Sequence, residues 1–154
     1  MQPDEKTTLV ITYRTFKYAG KFDKTVTVFT GDSKEDAHII HITGFVEAIP
    51  MGVIEVSPRK VDVGELTPDR QNQVQIMIKN TGDAPLTVTS ITSMKFKSTY
   101  FTGELVIPAG RSLPVTFGVR PVRSGRFLDI LLVYSDARND IGKGYKVVLS
   151  GTAK

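Results

Sequence analysis

One pattern of about 45 residues occurs twice in this chain, and only its second occurrence has a front half. Pro3 matches Pro108, Lys6-Thr7 matches Arg111-Ser112, and Val10 matches Val115. Gly20-Lys21-Phe22 matches Gly125-Arg126-Phe127, and Val28-Phe29-Thr30 matches Val133-Tyr134-Ser135. Two extra residues in the second copy bring Ile42-Thr43-Gly44 onto Leu149-Ser150-Gly151. Repetition at this period means one structural unit per copy. About 55 residues precede the second copy within its own unit, and nothing comparable precedes the first. The expected organisation is therefore residues 1–48 as the back half of a domain and residues 49–154 as a complete one.

The elements inside each copy read as strands. Val, Ile, Thr, Phe and Tyr recur in short runs, and 13 Gly and 8 Pro punctuate them along the chain. Leu9, Ile11 and Tyr13 alternate with polar residues over Thr7 to Arg14. Lys21 to Thr30 and Ala37 to Val46 alternate in the same way, which predicts three strands in the first copy. In the second unit short strands are expected at Val53 to Val56 and Lys60 to Val63, split by Ser57-Pro58. Longer ones follow at Asn72 to Lys79, Leu86 to Ile91, Leu113 to Val119, Arg126 to Tyr134 and Lys143 to Ser150. Lys95 to Leu105 is ambiguous between an edge strand and a loop. About seven or eight strands at roughly 8–12-residue spacing, with no amphipathic helix between them, predict an all-β antiparallel sandwich of the Ig-like kind. Its core should draw on Val74, Ile76, Ile78, Leu86, Val88, Val115, Phe117, Phe127, Leu131, Val133, Val147 and Leu149.

Specific residues carry a family resemblance. Val61-Asp62-Val63-Gly64-Glu65-Leu66 resembles the opening of a bacterial Ig-like family of unknown function, related to the ASH and major-sperm-protein sandwiches. The run from Ile78 to Val88, with Asn80, Gly82, Pro85 and Leu86 as its fixed points, resembles that family's hairpin motif. The two stretches from Pro108 to Phe127 and from Pro3 to Phe22 resemble its back half. Many members carry a Cys-rich stretch where this chain has Thr92 to Thr99, and the chain has no Cys. A cysteine-based role is thereby excluded. The resemblance implies a non-catalytic structural or interaction module of an exported, periplasmic or extracellular protein, and implies no ligand. At Gly82 the motif predicts a turn with positive φ.

Chemistry-bearing residues are sparse. His38 and His41 are the only histidines, and three positions apart on a strand they point to opposite faces, so they do not chelate one metal. Asp136 to Gly142 is acidic and loop-like, but lacks the alternate ligand spacing and terminal Glu of a calcium loop. Gly142 and Gly144 form a G-x-G without a strand-to-helix context, so no phosphate cradle is expected. No set of acid, base and nucleophile converges, which predicts a protein that is not an enzyme and needs no cofactor. No apolar run of 18 residues exists, so no integral membrane segment is expected. A net charge of +4 is too small to argue for nucleic acid.

Two groups of cations stand out. Arg14, Lys17 and Lys21 surround one turn of the first copy, and Arg120, Arg123 and Arg126 surround the matching turn of the second. Each would place its charge at one end of a sandwich, where a polyanion or a carbohydrate could bind. The competing reading is a solvated turn that opposes aggregation. The incomplete first copy carries the other functional implication. About six apolar side chains left uncovered there would forfeit on the order of 9–18 kcal/mol of burial. A protein partner, or self-association, is expected to cover them.

Overall fold

A computed structural model describes residues 6–15 and 17–154. Pro3, expected to open the first copy of a repeat, and Phe16, expected at its first turn, lie outside the described residues. The chain divides into two compact units, Met1–Ala48 and Ile49–Lys154.

The first unit contains β1 (Gly20–Phe29) and β2 (Ala37–Val46), paired antiparallel from Gly20↔Val46 to Phe29↔Ala37. Between them, a short 3-10 turn at Lys34–Asp36 is closed by a reciprocal cap. The Ser33 hydroxyl accepts from Glu35 N–H, and the Asp36 carboxylate accepts from Ser33 N–H. The expected third strand is absent: residues 7–14 form no strand, although their side chains alternate as a strand's should. The physical reason lies in the second unit. In the repeat expected from the sequence, residues 7–14 match β8, which takes its hydrogen bonds from β5. Among the described residues the first unit has no counterpart of β5, and a strand without a neighbour has no ladder to hold it.

The second unit is a two-layer sandwich. Its strands are β3 (Ile54–Glu55), β4 (Lys60–Leu66), β5 (Asn72–Asn80), β6 (Leu86–Ser93), β7 (Thr99–Ile107), β8 (Ser112–Val119), β9 (Gly125–Ser135) and β10 (Tyr145–Ala153). One sheet runs β4-β10-β9-β6-β7 and the other β3-β5-β8. All pairs are antiparallel except β4 with β10, which lie parallel. The ambiguous stretch after Lys95 resolves into a turn and the edge strand β7. The alternation that defines each strand also fills the interior: every residue named above for the core is buried. Ile54, Val56, Leu66, Ile91, Ile107 and Val119 join them.

Two local features depart from simple alternation. In β6 the pairing to both neighbours shifts between Val88 and Ser90. The extra residue, Thr89, is exposed, and past it the inward parity changes from Leu86 and Val88 to Ile91 and Ser93. The second departure is at Gly82. Strands β5 and β6 belong to different sheets, so Asn80 to Leu86 is a corner between layers and not a hairpin. Gly82 is not among the residues with positive φ, which corrects the turn expected there. Glycine is required for a different reason. A Cβ at position 82 would overlap the Met51 carbonyl oxygen and lie 2.6 Å from Val53 N.

Candidate binding surface

A buried polar cluster organises one end of the sandwich. On β9 the inward positions run Phe127, Asp129, Leu131, Val133, which places a carboxylate inside the core. The Thr89 bulge turns Ser93 inward opposite it, and the Ser93 hydroxyl donates to Asp129 Oδ1 at 2.8 Å. Tyr100, on β7, donates its hydroxyl to Asp129 Oδ2 at 2.9 Å, and Ile130 N–H donates to Oδ1. Burial, reinforced by the Asp129 carboxylate, pushes the Tyr100 phenol above the usual tyrosine range, so it remains a donor. Each member of the cluster is satisfied, as a buried polar network must be.

The cluster fixes the β6–β7 turn. Ser93 Oγ accepts from Phe96 N–H at 2.8 Å, Ser93 N–H donates to Ser98 O, and Met94 N–H donates to Ile130 O. Lys97 sits in the left-handed region at φ 56° and completes the return. Lys95 and Phe96 are thereby held out from the end of the sandwich. Lys95 Nζ donates to Leu128 O at 3.1 Å and lies 5.3 Å from the Phe96 ring centroid. Phe96 stacks on buried Phe127 with ring centroids 6.0 Å apart and remains 37% exposed.

Opposite this turn stands the β8–β9 turn with its three arginines. A groove of about 370 Å³ is lined by Lys95, Phe96, Val122, Arg123, Arg126 and their neighbours. A second groove shares Phe96 and Val122 and takes Arg120 on its rim. Val122 is 67% exposed between them. Neither lining contains a carboxylate, and among the described residues none of Arg120, Arg123 and Arg126 forms an ion pair. The structure places Arg123 and Arg126 on one groove and Arg120 on the adjoining one, and adds Lys95, Phe96 and Val122, which sequence reasoning did not name. The signal for Asp129 was available as a charge on the inward parity of a strand; the Thr89 bulge that brings Ser93 to it had no sequence signal.

The other candidates fall elsewhere. In the first unit Arg14 and Lys21 are exposed and Lys17 is half-buried. His38 and His41 are exposed, with His41 Nδ1 3.9 Å from Asp23 Oδ1. In the Asp136 to Gly142 loop the carboxylates accept backbone N–H groups. Asp136 takes Thr87 N–H, and Asp140 takes those of Ser135, Gly142 and Gly144. Asn139 accepts from Ile54 N–H and donates to Ile54 O, so the loop latches β3 in place.

Asn80, Gly82, Pro85 and Leu86 form the corner between sheets. The Asn80 side chain is fully buried, accepting from Val53 and Gly82 N–H and donating to the Ala84 and Ile107 carbonyls. Leu86 is buried beneath it and Pro85 is exposed.

No protein-family profile matches the chain, and no curated protein matches it. Solved structures resemble it in fold. A protein of unknown function from Porphyromonas gingivalis W83 is 16% identical, with a TM-score of 0.52 over 87% of this chain and 66% of that one. The ASH / PapD-like domain 7 of human CEP192 is 11% identical, with a TM-score of 0.49 over 75% of this chain and 94% of that domain. WR4, an MSP family member of C. elegans, is 11% identical, with a TM-score of 0.38 over 66% of this chain and 98% of that one. Two of these three neighbours are ASH / PapD-like and MSP proteins by name, and the other is a protein of unknown function. The chain is an all-β protein of the Ig-like sandwich class. Among the described residues no helix is long and apolar enough to cross a membrane.

Proposed function

We propose that this chain is a non-catalytic Ig-like structural or protein-interaction module, working in an assembled, exported protein. The observation that carries the reading is the first unit. Among the described residues its two strands have no third, and Phe29, Ile39 and Phe45 stand 60%, 63% and 67% exposed on them. A lone two-stranded hairpin is at best marginally stable in water. A protein partner, or a second copy of the chain, covers that surface. Placement in the periplasm or outside the cell rests on the motif resemblance alone.

The test combines sedimentation with amide hydrogen exchange on the full chain. In the monomer, residues 6–46 should exchange far faster than β9 and β10, and slow only when a partner or another copy binds. A monomer whose first unit is protected as well as β9 and β10 would sink the reading.

A second reading concerns the basic end of the complete unit, where Lys95, Arg120, Arg123 and Arg126 gather around exposed Phe96 and Val122. That arrangement supports binding of an acidic polymer, with the apolar pair as an anchor. The absence of Trp removes the best platform for sugar stacking, which leaves charge as the main attraction. Heparin serves as the probe. Changing Arg120, Arg123 and Arg126 together to Ser should leave the melting temperature nearly unchanged, because all three are exposed. It should also weaken binding and flatten its salt dependence. Failure of the parent protein to bind heparin at low salt would return these arginines to the role of a solvated turn.

A further inference from the structure

The two grooves at the basic end offer different chemistry. The first, of about 370 Å³, sets Lys95, Arg123 and Arg126 among apolar Pro121, Phe127 and Leu128. The second, of about 440 Å³, has Arg120 as the one cation among its described lining residues. Its other polar groups are the neutral side chains of Gln71, Ser98, Thr99 and Tyr100. Phe96 and Val122 belong to both grooves and form the apolar divide between them. Phe96 is held in place from three sides. Its N–H donates to Ser93 Oγ, its ring stacks on Phe127, and Lys95 Nζ lies over that ring. A side chain fixed in this way has little freedom left to lose when a ligand packs on it.

The second groove also runs along main chain. Thr99 and Tyr100 begin β7, Gly118 lies near the end of β8, and each of these is an edge strand of its sheet. Alternate N–H and C=O groups of an edge strand face away from its neighbour and are open to another extended chain. Gly118 leaves room for the Gln71 amide, which a Cβ there would overlap. That amide donates and accepts as a peptide group does.

We infer that the ligand of the basic end is an acidic polypeptide segment with one large apolar side chain, seated against Phe96 and Val122 with acidic residues on either side of it. The inference rests on the acidic-polymer reading of this end and names the polymer. Charge assigns the sign of the ligand and its asymmetry. Three cations line the first groove and one the second, so most of the ligand's carboxylates lie on the side of the first. The exposed pair of Phe96 and Val122 assigns the anchor, because apolar surface inside a cationic rim is where binding energy concentrates. The strand edges and the Gln71 amide assign the backbone. A sulfated or uronic polysaccharide matches the charge and neither of the other two features.

The experiment measures binding of dye-labelled peptides to the full chain by fluorescence anisotropy, with labelled heparin in parallel. One peptide holds a single Leu among Glu and Ser residues. A second has Ser in place of that Leu, and a third keeps the Leu but has Gln in place of every Glu. The Leu peptide should bind on the order of 10-fold tighter than the Ser peptide, and the Gln peptide should not bind. Val122→Ser changes an exposed side chain and should fold as the parent does. In that variant the Leu peptide should lose most of its advantage, while heparin binding stays the same. Equal binding of the Leu and Ser peptides, or a Leu preference undiminished in Val122→Ser, overturns the inference and leaves the acidic-polymer reading standing. Heparin binding without peptide binding does the same and makes a polysaccharide the ligand. Undiminished binding of the Gln peptide overturns the inference as well. No binding of heparin or of any peptide at low salt overturns both.

Discussion

Changing Asn80 to Leu should destabilise the complete unit on the order of 4 kcal/mol. The side chain has one acceptor group and one two-hydrogen donor, and all of its main capacity is used. Oδ1 takes Val53 N–H at 3.1 Å and Gly82 N–H at 2.9 Å, and Nδ2 gives to Ala84 O at 2.8 Å and Ile107 O at 2.9 Å. These groups come from the segment before β3, the corner itself and the end of β7. Leucine fills a similar volume and satisfies none of them, which leaves two N–H and two C=O groups without their partner in a dry site. The measure is urea unfolding followed by near-ultraviolet signal. A loss under about 1 kcal/mol would mean that water or a rearranged backbone takes over these bonds.

Alanine at position 82 should cost about 3 kcal/mol, a fall in melting temperature of roughly 15 °C for a unit of this size. The added methyl would run into the backbone of the neighbouring segment, at the Met51 carbonyl and at Val53 N, and backbone there cannot swing aside as a side-chain tip could. The Met51 to Val53 segment is itself held by Asp83, Asn80, Thr81 and Arg138, so moving it strains five further hydrogen bonds. Asparagine at the same position separates this account from the turn expected on sequence grounds. A left-handed turn tolerates Asn almost as well as Gly, whereas close approach rejects every residue with a Cβ. Gly82→Asn should therefore be at least as damaging as Gly82→Ala, and a well-tolerated asparagine would restore the positive-φ explanation.

The comparison of Gly82 with the core shows what was legible in the sequence. Positions such as Val74, Ile76 and Ile78 announce themselves because a strand has a period of two, and burial follows from that period alone. Gly82 was recognisable as indispensable, but two mechanisms demand glycine and only the path of a neighbouring segment tells them apart. Residues 7–14 failed for a related reason: their alternation is as good as that of β8, but a strand is a property of a pair. The basic end was half legible. Arg120, Arg123 and Arg126 are close in sequence, whereas Lys95 and Phe96 reach them only through the bulge at Thr89, an irregularity without a composition signal. Asp129 lay in plain view on an inward position and was the one clue to the buried cluster that organises this end.

The pairing of strands also sets how each unit carries a pull. In the complete unit the first long strand, β4, lies parallel to the last, β10, from Lys60↔Val148 to Leu66↔Ala153. Tension entering ahead of β4 and leaving beyond β10 drags the two strands along each other, and the whole ladder between them resists at once. In the first unit the ends of the hairpin meet, Gly20 beside Val46. The same tension there peels β1 from β2 one rung at a time, starting at that end. A polypeptide built this way has a firm link and a tear-away link in series.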